Sequence, residues 1–130
     1  MAHRTQFVSR TVYNDARVEW VLNHQFVRIT MVDIESPPKY EAHVYIGFNH
    51  EKKKYVCHWL DVFGGQFSET IGVGTRDENS IEFIFASKEA VLRNRFSFDE
   101  AGGEWSSVIE QRGPLEDQWH TFCADVYKKR

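Results

Sequence analysis

Six histidines and two cysteines are the residue types in this chain that could bind a metal or act as nucleophiles. None of them has the HxH, HExxH or CxxC spacing that brings two ligands to one ion. Cys57 and His58 are neighbours, so on a strand their side chains point to opposite faces. A composite site of His43, His58 and His120 is geometrically possible in a barrel, but scattered surface histidines explain the same pattern. We therefore predict no metal site and no cofactor.

Catalytic groupings are equally hard to find. Nucleophilic catalysis needs a Ser or Cys within hydrogen-bonding reach of an oriented base, and no local motif supplies one. The segment Gly72-Val73-Gly74 lacks the following helix that a phosphate-binding loop needs. Carboxylates at Glu69, Glu82 and Glu110 form a glycosidase-like pair only if two of them face each other across a cavity. We predict no catalytic residue and leave enzymatic activity open.

Polar residues inside strongly apolar segments are more informative, because a buried polar group is costly unless it finds a partner. Arg93 and Arg95 are two residues apart, so a strand places both on one face. If that face is inward, they could bind a carboxylate or phosphate head group; if it is outward, they are solubilising charges. The other residues of this type are Tyr45, His58 or Trp59, Glu69, Ser107 and His120.

The elements that must position these residues are predicted to be strands. Phe, Tyr and Trp make up 15% of the chain, and aromatic residues favour pleated, half-buried surfaces. The clearest pattern is a hairpin with arms at 40–50 and 55–63 around the turn Glu51-Lys52-Lys53-Lys54. Further strands are predicted at 67–73, 81–85, 93–98, 104–111 and 118–127, separated by segments rich in turn-forming residues.

The first third of the chain is less regular. It predicts a strand at 4–13, a turn at Asn14-Asp15, and a run at 17–34 that holds two strands or one bent strand. Ser36-Pro37-Pro38 ends this run, since proline cannot donate to a strand ladder. The only stretch compatible with a helix is 87–93, where Ser87 could act as an N-cap; a loop is the alternative.

Nine or ten sequential strands with short connections must protect their edges, and closure does so directly. We therefore predict an all-β fold, an antiparallel up-and-down lipocalin-like β-barrel of about ten strands, with residues 1–130 as a single domain. A two-sheet sandwich is the alternative, but it needs long crossover connections that the sequence lacks.

Charge and hydropathy limit the partners. The formal net charge is −3, with basic residues spread along the chain, so no basic patch for nucleic acid or an anionic membrane is expected. The N-terminus has no apolar run typical of a signal peptide, and no segment is apolar enough to span a membrane. Cys57 and Cys123 are interpreted as free thiols. Together these features predict a cytoplasmic protein.

Several segments resemble a mostly bacterial family of unknown function with a calycin-like, lipocalin-like barrel. They are Glu19-Trp20-Val21-Leu22 with Phe26-Val27-Arg28, the run Tyr40-Glu41-Ala42 to Gly47-Phe48-Asn49, and Tyr55-Val56-Cys57-His58-Trp59-Leu60-Asp61. The resemblance covers residues 17–65 well and the remainder loosely. It implies a barrel similar to lipocalins and fatty-acid-binding proteins, with no established activity. The N-terminal G-x-W motif of such barrels is absent, which suggests a truncated first strand or a different closure.

The predicted function is binding of a small hydrophobic or amphipathic ligand inside the barrel. The alternative is a structural or interaction protein whose barrel is filled by its own aromatic residues and whose outer face forms a homodimer. Heme binding is a minor alternative, because a related heme-binding group carries a late histidine for which only His120 could substitute. The residues predicted to line or guard the pocket are Tyr45, Trp59, Glu69, Phe83, Arg95 and Trp105.

Overall fold

Antiparallel strands make up most of the chain. The computed structural model describes residues 2–7, 10–33, 36–37, 39–99, 101 and 103–128, with side chains described from residue 16 onward except at 66, 67 and 128. The strands are β1 (Ala2–Phe7), β2 (Arg10–Val21), β3 (Phe26–Asp33), β4 (Glu41–Asn49), β5 (Lys54–Asp61), β6 (Gly72–Arg76), β7 (Ser80–Ala86), β8 (Val91–Asp99), β9 (Glu104–Arg112) and β10 (His120–Lys128).

The sheet follows the order of the sequence. From β2 to β10 each strand pairs antiparallel with the next, and β1 pairs with both β2 and β10. The sheet curls so that one face is concave, and the core lies on that side. This confirms the predicted all-β, antiparallel, up-and-down arrangement. No pairing among the described residues needs the crossover connections of a sandwich.

The predicted turn at Asn14-Asp15 is wrong. β2 continues through both residues, because Asn14 is paired across the sheet with His3 on one side and Asp33 on the other. Residues 8 and 9, between β1 and β2 in the sequence, lie outside the described part. Pairing with strands on both sides overrides the local turn preference of these two residues.

The run at 17–34 contains two strands, the end of β2 and all of β3; residue 34 lies outside the described part. Between these strands Leu22, Asn23 and His24 all have left-handed backbone angles, with φ of 52, 56 and 63°. The Gln25 amide donates to the Leu22 carbonyl at 3.1 Å and closes the turn. This turn divides the predicted run at 17–34 into two strands; Asn23 and His24 are residue types enriched in this conformation, whereas Leu22 is not.

Two further segments needed the structure to settle them. The helix that the sequence allowed at 87–93 does not form: the Ser87 hydroxyl and the Ala90 backbone hydrogen-bond to each other at 3.0 and 3.2 Å, forming a tight turn, and β8 begins at Val91. The strand at 67–73 forms only at its end, because Gly64–Phe67 is a 3-10 turn and β6 begins at Gly72. In both places the turn forms because side-chain and backbone polar groups bond locally.

The concave face holds the apolar core. Val44, Cys57, Phe83 and Tyr127 are fully buried there. Gly72 gives room for the Phe85 ring: a Cβ at this position would lie 2.5 Å from the ring Cζ atom. The core is therefore filled by aliphatic and aromatic side chains of the chain itself, and we look for space for another molecule at the ends of the strands.

Candidate functional site

A pocket opens at one end of the curled sheet, where β5 and β7 begin and where β6 and β8 end. Its volume is about 420 Å³, within the usual range for small-molecule sites. We call it the mouth pocket. It is lined by Tyr55, Arg76, Glu78, Asn79, Ser80, Ile81, Phe96, Ser97, Phe98 and Trp105.

A smaller depression of about 200 Å³ lies on the outer face, between β5, β6 and β7. It has no aromatic residue in its lining, which comprises Lys54, Val73, Gly74, Thr75, Glu82 and Ile84. The mouth pocket is the better candidate site because it is larger and combines aromatic and charged groups.

Stacked aromatic rings form the floor of the mouth pocket. Trp105 stacks on Tyr127 with ring centroids 3.7 Å apart and planes 6° apart. Phe96 lies against Trp105 at 6.1 Å, and its other side contacts the buried Phe83 at 6.4 Å. Tyr127 is fully buried, and its hydroxyl donates to the Met31 sulfur at 2.8 Å. The floor is therefore held in place from beneath before any ligand arrives.

The rim of the pocket is polar and shaped by a fixed turn. The Asp77 carboxylate accepts hydrogen bonds from the Ser80 hydroxyl at 2.8 Å and from the Ser80 and Asn79 amides at 3.0 and 3.2 Å. These bonds, with the Ser80 hydroxyl contributing most, lower the pKa of Asp77. Beside this turn stand the exposed side chains of Arg76 and Glu78, one of each charge.

A buried polar cluster lies beneath the aromatic floor. The Asn94 amide donates from Nδ2 to the Ser107 hydroxyl at 3.0 Å and to the Val108 carbonyl at 3.2 Å. Ser107 is paired across β9 and β10 with Asp125, whose carboxylate accepts from the Cys123 thiol at 3.4 Å. Asn94, Ser107 and Asp125 are all buried in this apolar interior.

This cluster contains one unsatisfied acceptor. The Asn94 Oδ1 atom is buried and has no hydrogen-bond partner. Rotating the amide by 180° would let Oδ1 accept from the Ser107 hydroxyl, but it would place Oδ1 against the Val108 carbonyl and leave Nδ2 without an acceptor. An unsatisfied buried acceptor costs about 1–3 kcal/mol. The interior beneath the mouth pocket therefore has one free position for a hydrogen-bond donor.

The two thiols have environments that suppress their reactivity. Burial raises the pKa of Cys57 to about 12, and burial together with the Asp125 carboxylate raises the pKa of Cys123 well above its usual range. Because the thiolate is the nucleophile, both are weak nucleophiles at neutral pH. Both cysteines are free thiols, as the sequence analysis interpreted them.

The histidines of the hypothetical composite metal site do not converge. His43 bonds to the exposed Glu41 carboxylate at 2.9 Å, His58 packs edge-on to Phe26, and His120 lies 3.7 Å from Glu116. In the part of the chain that the structure describes, no group of three or more His, Cys, Asp or Glu side chains could hold a metal ion.

Three of the six predicted pocket residues face the concave side. Trp59 packs against the core, Phe83 is fully buried in it, and Trp105 lines the mouth pocket. Trp59 lies on β5 beside Asp61, near the opposite end of the sheet from the mouth pocket. The structure therefore brings Trp105 and Phe83 close to one site and leaves Trp59 apart from it.

The inward placement predicted for the other three is wrong. Tyr45 alternates with the buried Val44 and lies on the outer face, opposite Arg28. Arg95 also points outward, where its guanidinium donates to the Glu82 carboxylate at 2.9 and 3.1 Å. Glu69 is exposed in the connection between β5 and β6, because no strand forms there.

The sequence contained a signal that separates the two faces. In β4 the alternate set Ala42, Val44, Ile46 and Phe48 is wholly apolar, whereas the set that contains Tyr45 includes His43 and Asn49. In β8 three of the four residues in the set Leu92, Asn94, Phe96 and Phe98 are apolar, whereas the set with Arg93 and Arg95 has one apolar member in five, which places the arginines outside. Comparing both sets along each strand would have corrected both assignments.

Of the ten residues that line the mouth pocket, the sequence analysis named only Trp105; the missed residues with the clearest role are Tyr55, Arg76 and Phe96. Phe96 follows from the same comparison of faces in β8. Arg76 and Tyr55 do not, because their role depends on which strand ends meet at one end of the sheet. That is a property of the strand order and register, which local patterns do not contain.

Comparison with known proteins adds no relative. No protein-family model matches the sequence, and a search of curated proteins found no match.

Among the described residues, no helix is both long and apolar enough to cross a membrane.

Proposed function

We propose that this chain is a closed, lipocalin-like barrel that binds a small amphipathic molecule in the mouth pocket. The pairing of β1 with both β2 and β10 supports closure. The observation that carries the functional proposal is the preformed aromatic floor, on which Trp105 is stacked 3.7 Å from Tyr127 at the base of a cavity of about 420 Å³. An aromatic base with a polar rim, in a cavity of this size, is the usual make-up of a small-molecule site.

The two halves of the pocket indicate how such a molecule would lie. Its apolar, preferably aromatic body would rest on Trp105, Phe96 and Tyr55, since offset stacking adds to the gain from burial. Its polar end would face the rim, where Arg76 supplies a cation and Ser80 a hydroxyl. An aromatic body with an anionic group fits this arrangement, because the guanidinium of Arg76 can bind it through paired hydrogen bonds.

Binding of 1-anilinonaphthalene-8-sulfonate tests this proposal, because the dye carries an aromatic body and one anionic group. We expect saturable binding by the folded protein, followed by dye fluorescence. Trp105→Ala should weaken binding about tenfold because it removes the stacking surface. Arg76→Glu should weaken it by a similar factor, since an attractive charge becomes a repulsive one.

Lys88→Glu is the matched control for charge, because Lys88 is exposed in the turn at the opposite end of the sheet. This variant should bind the dye as the unmodified protein does. Far-UV circular dichroism would show that each variant is folded. The proposal fails if the dye does not bind, or if Arg76→Glu and Trp105→Ala bind it with unchanged affinity.

A further inference from the structure

One segment of the sheet has a partner on only one side. β2 contains twelve residues, of which Arg10 to Asp15 pair with β1. The remaining residues, 16–21, pair with β3 but with no other strand in the described part of the chain. We call residues 16–21 the β2 edge. A free edge presents backbone N–H and C=O groups that can pair with another strand.

The β2 edge also exposes large apolar side chains on the concave side of the sheet. Val18 and Trp20 alternate in phase with the buried Ala16, and Val18 is paired with the buried Ile29. Yet Val18 is 51% and Trp20 61% exposed, because no neighbouring strand covers them. Among the side chains that the structure describes, the one aromatic ring beside Trp20 is that of His24 in the adjoining turn. Val18 and Trp20 therefore lie on the same face of the sheet as the core residues, but they are not buried.

The sequence of the β2 edge is complementary to itself in one antiparallel register. If two copies pair with Val18 opposite Val18, then Arg17 of one copy lies opposite Glu19 of the other, twice by symmetry. Trp20 then lies opposite the small Ala16. Directly opposed unlike charges stabilise a strand pair, and a large residue beside a small one packs well.

The neighbouring registers are less favourable. Centring the pair on Glu19 places two carboxylates directly opposite each other, which is destabilising. A shift by a single residue would turn the apolar residues of one copy to the opposite face from those of the other. The charge pattern and the strand phase therefore select the same register, the one centred on Val18.

The charged residues of the β2 edge are available for such a contact. The Glu19 carboxylate uses one oxygen, Oε1, to accept from Arg28, and its other oxygen accepts no hydrogen bond from the described residues. Arg17 is exposed and has no ion-pair partner within 4 Å in the described residues. A second copy can thus add an Arg17–Glu19 pair on each side without breaking the existing Glu19–Arg28 pair.

We propose that the β2 edge is a homodimer interface in which two copies of this chain pair antiparallel, centred on Val18. The contact is isologous, so one strand segment supplies both halves. The partner strand covers Val18 and Trp20 and satisfies the free backbone groups of the edge. This interface is separate from the mouth pocket in its residues, so the dimer and the ligand site can be tested independently.

Sedimentation velocity of the full chain over a range of concentrations tests the dimer. We expect a reversible monomer–dimer equilibrium for the unmodified protein. Arg17→Glu and Glu19→Arg should each raise the dissociation constant about tenfold or more, because like charges then face each other. The double variant with both changes restores opposite charges across the pair, so it should recover the dimer.

The rescue by the double variant distinguishes the interface from a loss of folding, because Glu19→Arg also removes the partner of Arg28. Arg95→Glu, which reverses an outer-face charge far from the β2 edge in the strand order, should leave the equilibrium unchanged. The proposal is overturned if the unmodified protein is monomeric at every concentration. It is also overturned if the double variant dissociates as readily as the single ones.

Discussion

The two faces of β8 hold polar side chains in opposite ways, although these residues alternate in the sequence. On the outer face Arg93 and Arg95 each lie opposite a glutamate of a neighbouring strand, Glu110 and Glu82, and donate two hydrogen bonds to it. On the inner face Asn94 is 1% exposed and has one of its polar atoms unsatisfied.

The difference shows where the stability of this sheet comes from. The outer pairs are partly exposed to water, so most of their attraction is screened and their net contribution is small. On the inner face, burial of Phe83 and Phe96 stabilises the fold by more than the burial of the polar Asn94 beside them costs. Substitutions on the two faces should therefore differ in size even at adjacent positions.

The largest expected effect is on the inner face. Phe96→Ala should lower the free energy of unfolding by about 3–5 kcal/mol, because Phe96 is 93% buried and its removal leaves a cavity beside Phe83 and Trp105. Urea denaturation followed by circular dichroism measures this change. Phe98→Ala is the matched control: Phe98 is two residues further along the strand but 49% exposed, so it should cost much less. Equal losses for the two variants would contradict the prediction that burial determines how much each side chain contributes to the free energy of unfolding.

A second effect depends on pH and arises from the buried thiol of Cys57. Burial raises its pKa from 9.0 to about 12, so between these values the unfolded chain loses this proton and the folded protein keeps it. The contribution of this thiol to the free energy of unfolding is therefore complete below pH 9. It falls as the pH rises towards 12, by up to about 1.4 kcal/mol per pH unit. The buried Cys123 and Tyr127, whose pKa values are also raised, act in the same direction.

Urea midpoints measured between pH 8 and pH 11, for the unmodified protein and for Cys57→Ala, test this dependence. The variant should be less stable at neutral pH but lose stability less steeply in alkali, because one ionisable buried group is gone. Parallel pH profiles would contradict the assigned role of Cys57. The outer ion pairs should contribute little to the slope, since their arginines stay charged throughout this range.

The smallest effects are expected on the outer face. Arg95→Ala should change the free energy of unfolding by less than about 1 kcal/mol, because its guanidinium is about half exposed. Arg93→Ala should cost about 1 kcal/mol more, since Arg93 also lies 4.2 Å above the Trp119 ring. Thermal unfolding of the two variants side by side ranks them. A larger loss for Arg95→Ala would reverse the proposed order.

The sequence predicted most of this sheet because alternation and turn residues are local features. The hairpin of β4 and β5 and the strands β7 to β10 follow from them. The turn predicted at Asn14-Asp15 is wrong because long-range pairing decides the backbone there. The turn inside the run at 17–34 was not located because Leu22 and His24 are not typical turn residues. The sequence left a short helix open at 87–93 because Ser87 caps a tight turn as readily as a helix.

The site was predictable only where strand phase was sufficient. Phe83 and Trp105 were assigned to the inner face from alternation, and they lie there. Arg76 and Tyr55 come from strands that meet only after the sheet curls, so no local pattern links them to Trp105. Likewise, the contact of Asn94 with Ser107 joins two strands at a register that the sequence does not state.

The stacked pair of Trp105 and Tyr127 has an optical consequence. Two aromatic rings held 3.7 Å apart and nearly parallel have electronic transitions that couple, and the coupling depends on their distance and relative orientation. The pair is thus an intrinsic chromophore at the base of the mouth pocket, and it should contribute to the near-ultraviolet circular dichroism of the folded protein. A molecule that settles on Trp105 changes the rings' surroundings, so occupancy of the pocket can be followed in solution without any attached label.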